Sequence, residues 1–358
     1  MKKTVLDGNT ATCRVAYACS ELAFIYPITP SSPMSELFDI LSASKTKNAF
    51  GNLPELIQMQ SESGVSGALH GALSCGALTT TFTCSQGLLL MIPDMYKIAG
   101  ELLPTVIHVS ARALSTHALS IFGDHQDVMA CRQTGFAMLC SSSVQETTDF
   151  ALISHIATLR SSVPFLHFFD GFRTSHEAIT REEIKQEIIK KLLPKKEIDD
   201  FKKRALSPNH PTQKGTAQNT DIYFQNREAS NPYYLKTPSI VQSVMDEVGN
   251  ITGRNYRLFD YFGDKNAENI VVMMGSGALA MEETIEKLDN IGLIKVRLYR
   301  PFDTNAFLSA LPKTCKRIAV LDRTKEPGSV GEPLYTDICS VIKESGLNIQ
   351  VIGGRYGV

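Results

Sequence analysis

Three polar side chains stand where apolar runs break off, and each suits a different part of one reaction. Thr29 closes "FIYPIT" (24–29), Glu62 follows "LIQMQS" (56–61), and Arg112 follows "TVIHVSA" (105–111). Read as β-strands, these runs deliver a hydroxyl, a carboxylate and a guanidinium to strand C-terminal ends, where α/β sheets bind ligands. The planar fork of an arginine suits a carboxylate. Glu62 is the only acid between Glu55 and Asp94, and the small residues after it allow close approach by a ligand or another chain. A carboxylate facing an apolar pocket has its pKa raised by desolvation and is suited to proton exchange with a neutral heterocycle. Taken alone, Glu62 reads more simply as a helix cap. Taken together, the three suit a carboxylate substrate beside a heterocyclic cofactor. The stretch "FIYPITPSSP" (24–33) keeps two readings: a plain strand-to-helix turn, or a strand end presenting a hydroxyl to a small anion.

Two other motifs are weaker. "GSGALA" (275–280) matches GxGxxA between a strand and a helix, but Lys295 and Arg297 stand where a dinucleotide site wants an acid on the ribose. A bare glycine turn is the favoured reading. "GDHQD" (123–127) offers Asp124, His125 and Asp127, and turn capping is favoured over a metal site.

The elements that must position these residues alternate. Short β-branched or apolar runs such as "ALTTTFT" and "PFLHFFD" are separated by helical patterns such as "SSPMSELFDILSAS" and "VQETTDFALISHIATLR". Ser31 or Ser32 caps the first of these helices, with Pro33 at its first position. This spacing predicts an α/β domain with a mostly parallel sheet. A charge-laced segment (180–204) reads as a solvated helix face, and 205–236 as a long irregular loop. A second α/β unit opens after Arg254, in which "LIKVRLYRP" (293–301) reads as one strand. The expected domains are 1–254 and 255–358.

With 358 residues, 43% hydrophobic and 20% charged, the chain reads as an ordinary folded protein of two domains. A net charge of −1 gives no basic excess for nucleic acid, no apolar run approaches a membrane span, and no secretory leader is expected. The eight cysteines form no CxxC pair and read mostly as buried small hydrophobes in a reducing, cytoplasmic compartment.

Longer motifs go beyond pattern. "YPITPSSPMSE", "MQSESGVSGALHGAL", "SIFGDHQDVMACRQTGFAML", "HFFDGFRTSHE" and "GTAQNTDIYFQNREASNPYYLK" resemble the pyruvate:ferredoxin (or flavodoxin) oxidoreductases, in the single-polypeptide form. The resemblance runs from Asp7 to the last residue. It implies a thiamine diphosphate domain of the pyrimidine-binding type, followed by a smaller α/β domain like the C-terminal domain of transketolases. It also implies that Thr29 and Arg112 hold pyruvate, and that Glu62 hydrogen-bonds the aminopyrimidine of thiamine diphosphate. Coenzyme A, ferredoxin or flavodoxin, magnesium and the [4Fe–4S] clusters are expected to engage further domains of a homodimeric enzyme. This chain, expected to be its N-terminal portion, is then inactive alone. The alternatives are a subunit acting on another 2-oxoacid and a non-catalytic assembly module.

Overall fold

The computed structural model describes residues 3–357. Its first half carries strands β1 (Lys3–Leu6), β2 (Leu22–Ile25), β3 (Glu55–Gln58), β4 (Thr79–Thr83), β5 (Val106–Ala111), β6 (Ala137–Ser141), β7 (Phe165–Asp170) and β8 (Ile179–Glu182). The second half carries β9 (Phe259–Gly263), β10 (Asn269–Met273), β11 (Ile291–Val296), β12 (Leu298–Arg300), β13 (Arg317–Asp322) and β14 (Gln350–Arg355). A seven-stranded sheet runs β12-β6-β7-β5-β4-β2-β3, parallel throughout except for the antiparallel edge strand β12. A five-stranded sheet runs β14-β13-β10-β11-β9, with β9 antiparallel. The expected α/β class with a parallel-sheet first unit is therefore observed.

Strands β4, β5, β6 and β7 are buried along their whole length, as strands covered on both faces should be. The helix Gly8–Cys19 packs on the helices Ser32–Ala43 and Val144–Ser161, burying Tyr17, Phe38 and Phe82 in one aromatic cluster. From β2 the chain crosses to β3 on one side and then to β4 on the other. Right-handed crossovers in opposite directions place the two connecting helices on opposite faces and open a crevice at the C-terminal ends of β2 and β4.

The structure also departs from the pattern. "LIKVRLYRP" is two strands, broken at Arg297, and they belong to different sheets. The break is held by a buried guanidinium that pairs with Glu146 at 2.8 Å and with Asp260, and lies over the rings of Phe150 and Tyr256. The segment 205–236 is not loop throughout. It contains the helix Tyr223–Glu228 and the start of the 22-residue helix Asn231–Thr252, which opens on Pro232 and tolerates Pro238 inside. The 254/255 position lies between that long helix and β9. No described helix is long and apolar enough to cross a membrane.

Candidate functional site

The sheet's C-terminal edge gathers the three predicted residues around the turn that follows β4. After β2 the chain leaves through Tyr26-Pro27-Ile28 to Thr29, which is exposed and joined to Pro30 by a cis peptide. Ser31 precedes the helix but makes no side-chain cap; its hydroxyl donates instead to the Thr83 carbonyl at 2.6 Å. Asn9 secures the same turn, donating to the Pro30 carbonyl at 2.9 Å and accepting from the Ser110 hydroxyl at 2.7 Å. The hydroxyl-rich, proline-rich turn is thus tied to β4 and β5 at its base, with Thr29 left outward.

Arg112 is buried just beyond β5. Its Nη1 donates to the Thr29 carbonyl at 2.8 Å and its Nε to the Ser120 carbonyl at 3.2 Å. No carboxylate of the described residues pairs with it. The positive charge is therefore positioned by neutral acceptors, which leaves it available to an anion.

Glu62 opens the helix Glu62–Ser74, one residue after the cap. Ser61 does the capping, accepting from the Gly64 N–H at 3.2 Å. Glu62 is 7% exposed, and its carboxylate accepts no hydrogen bond from the described residues. It lies against Gly87: a Cβ there would stand 2.5 Å from Glu62 Oε1 and 2.8 Å from Thr83 Oγ1. The Thr83 hydroxyl is itself buried with no partner. The buried Thr83 hydroxyl, the Glu62 carboxylate and a glycine wall thus face one place, and a buried hydroxyl without a partner is rare enough to mark a ligand position.

The turn Thr83-Cys84-Ser85 touches all three residues. Thr83 flanks Glu62, the Cys84 thiol donates to the Thr29 carbonyl at 3.2 Å, and the Ser85 N–H shares an acceptor with Arg112. That acceptor is Asp127, whose Oδ2 takes the N–H groups of Ser85 at 2.7 Å and Arg112 at 3.0 Å. Ser85 holds a left-handed φ of 51°, and the fully buried carboxylate fixes that turn from behind. Burial pushes the Asp127 carboxyl up to about 7, against the pull of its three N–H donors. "GDHQD" was legible as a capping stretch, but nothing in it marked Asp127 as the tie between two strand ends. Among the described residues no cluster of three or more His, Cys, Asp or Glu could hold a metal.

The other members of that motif face the second sheet. His125 Nε2 pairs with Asp170 at 2.6 Å, at the end of β7. Asp170 also accepts from the Ser276 N–H at 2.7 Å and from Arg323 at 2.8 Å. Burial alone would raise this carboxyl, but His125, Arg323 and Ser276 bring it well below the usual range. One N–H of the "GSGALA" turn, that of Ser276, is therefore engaged by a carboxylate of the chain itself. A Cβ on Gly275, at φ 74°, would stand 2.9 Å from Asp170 Oδ2. Lys295 and Arg297 pair with Glu282 and Glu146.

Comparison with known proteins places the sequence as follows. The family described as pyruvate flavodoxin/ferredoxin oxidoreductase, thiamine diphosphate-binding, matches residues 14–246. Core domain II of pyruvate:ferredoxin oxidoreductase matches residues 267–358. The pyruvate:ferredoxin oxidoreductase of Moorella thermoacetica is 63% identical over all of this chain, and this chain spans 31% of it. A pyruvate-flavodoxin oxidoreductase of a Nostoc species is 54% identical over 99% of this chain and 88% of its own sequence. The mitochondrial pyruvate dehydrogenase [NADP(+)] of Euglena gracilis is 56% identical over 99% of this chain and 20% of itself. Among solved structures, a 2-oxoglutarate:ferredoxin oxidoreductase from Magnetococcus marinus superposes with a TM-score of 0.73 at 16% identity, over 99% of this chain and 63% of that one, a likeness of fold alone. The chain spans about a third of the length of the first of these relatives. On these sequence matches the chain belongs to the pyruvate:flavodoxin/ferredoxin oxidoreductase family.

Proposed function

We propose that this chain holds the pyrimidine end of thiamine diphosphate and the carboxylate of pyruvate in an enzyme that oxidatively decarboxylates pyruvate to acetyl-CoA and CO2. The observation that carries this reading is the buried, unpartnered Thr83 hydroxyl beside the Glu62 carboxylate at the sheet's C-terminal edge. Those groups fit an aminopyrimidine, which brings ring nitrogens and an amine to a slot kept open by Gly87. When bound, thiamine diphosphate supplies a nucleophilic carbon and an electron sink. Glu62 holds a proton at the facing ring nitrogen. Arg112, aimed by the Thr29 and Ser120 carbonyls, binds the pyruvate carboxylate, and the Thr29 hydroxyl orients it. Asp127 holds the backbone of Arg112 and Ser85 at fixed separation, so the substrate anchor and the turn beside Glu62 move together.

Coenzyme A, the magnesium of the diphosphate, the iron–sulfur clusters and the ferredoxin or flavodoxin that takes the electrons are assigned to parts of the enzyme outside residues 1–358. The full enzyme is proposed to work as a homodimer in the cytoplasm. Relatives named for ferredoxin, flavodoxin and NADP(+) are 63%, 54% and 56% identical here. The test is Glu62→Gln in the full-length enzyme, a volume-conserving change that cannot exchange the proton. Hydrogen–deuterium exchange at the thiazolium C2 should fall to near the solution rate, and pyruvate turnover should be lost. Exchange matching wild type would leave Glu62 a mere helix-end residue and remove the reading's centre.

A further inference from the structure

A second site lies on the helical side of the first sheet, in a cleft of about 320 Å³ between the helices Gly8–Cys19 and Ser32–Ala43 and the chain from β8 to Ile189. Its wall includes Arg181, a cation only 3% exposed and without any carboxylate partner among the described residues. The Arg181 Nε has no hydrogen-bond partner, and its one bond is a long 3.4 Å contact from Nη1 to the Glu182 carbonyl. Every nearby acid is committed elsewhere. Asp149 accepts from Arg254 and from the Tyr256 hydroxyl, Glu182 pairs with Arg254, and Glu183 pairs with Arg14. A buried guanidinium left unpaired is costly, and proteins rarely keep one unless something completes it. The Thr148 hydroxyl, on the same wall, is likewise buried without a partner. At the mouth stand Lys47 and Lys185, both exposed. The lining thus carries four cations (Arg14, Lys47, Arg181, Lys185) against one acid (Glu183), beside an apolar wall that includes Leu37, Leu41 and Ile184.

We propose that this cleft is a binding site for a phosphorylated small molecule, with the phosphoryl group on Arg181 and the lysines and a compact apolar body against Leu37 and Leu41. An arginine fork ringed by further cations matches the charge and multiple acceptors of a phosphoryl group. The apolar wall makes the monoester a better ligand than the bare ion. The site does not depend on the reading of Glu62 and Arg112, which sit at the sheet's C-terminal edge.

The test is calorimetry on the 358-residue chain with inorganic phosphate and with phenyl phosphate at low ionic strength. Saturable binding at one site is expected, with phenyl phosphate the tighter of the two. Arg181→Met should weaken phenyl phosphate binding by about tenfold or more, the loss of a charge-assisted hydrogen bond. The same variant without ligand should melt no lower than wild type, because it removes an uncompensated buried charge. If Arg181→Met does not fold, the exposed pair Lys47→Gln with Lys185→Gln must weaken binding by itself. Absence of saturable binding to wild type, or binding unchanged in these variants, overturns the proposal.

Discussion

Gly87→Ala tests whether the position of Glu62 matters, without touching its chemistry. Gly87 lies within the helix Ser85–Leu90, so alanine is locally favourable there by about 0.5–1 kcal/mol. The added Cβ, however, would stand 2.5 Å from Glu62 Oε1. Ordinary contact begins near 3.4 Å, so the carboxylate must retreat by 3.4 − 2.5 = 0.9 Å. Thr83 Oγ1, at 2.8 Å, closes the other side and limits the escape routes. A misplacement of about 1 Å in a catalytic group costs on the order of a hundredfold in rate, or roughly 2.7 kcal/mol. We therefore expect kcat/KM for pyruvate in the full-length enzyme to fall about a hundredfold, with Tm lowered, because overpacking against Thr83 outweighs the helix gain. In Glu62→Gln the same alanine should cost little more, because the two changes act on one group. Full activity in Gly87→Ala would mean that the Glu62 carboxylate need not occupy its observed place, and the argument from geometry would fail.

Three further outcomes are expected. Arg112→Lys keeps the charge but loses the fork, and should cost roughly 2–3 kcal/mol in kcat/KM for pyruvate in the full enzyme; unchanged kinetics would remove Arg112 from the substrate site. Asp127, raised from 3.8 to about 7, keeps in the native state a proton that the unfolded chain releases, so its contribution to stability falls as pH rises from about 4 to about 7 and is level above. Asp127→Asn should flatten that slope in urea titrations between pH 5 and pH 7, and an undiminished slope would assign it to other groups. Arg297→Met leaves Glu146 buried without its closest cation and should cost about 3–5 kcal/mol by urea denaturation; a loss under 1 kcal/mol would show the break at Arg297 to be held by backbone alone.

The residues legible in the sequence were those whose context is local. Thr29, Glu62 and Arg112 each end an apolar run, and a parallel sheet brings such ends to one edge. Asn9 was not legible as an anchor of the turn, because its bonds reach Pro30 and Ser110 across the fold. Thr83 looked like one more β-branched strand residue; its unpartnered hydroxyl exists only once Gly87 and Glu62 are packed beside it. Ser31 was expected to cap its helix, yet its hydroxyl bonds β4, a choice set by which acceptor the fold brings nearest. "LIKVRLYRP" hid its break because both halves are apolar, and the carboxylates that stop the strand at Arg297 lie 37 and 151 residues away. The long helix from Asn231 was obscured by two prolines and a polar exposed face.

The strand exchange at Arg297 bears on how this protein can be cut and recombined. Strand β12 covers the open edge of β6, and it comes from well beyond the long helix that closes the first half. A chimaera joined at residue 254 would leave β6 with a bare row of N–H and C=O groups, the kind of template on which chains aggregate. It would also strip Glu146 of Arg297 and Asp149 of Tyr256. The smallest piece that keeps the first sheet closed ends after Arg300, inside the second unit's own strand sequence. For shuffling or truncation, the two sheets are one inheritance: neither can be passed on intact without part of the other.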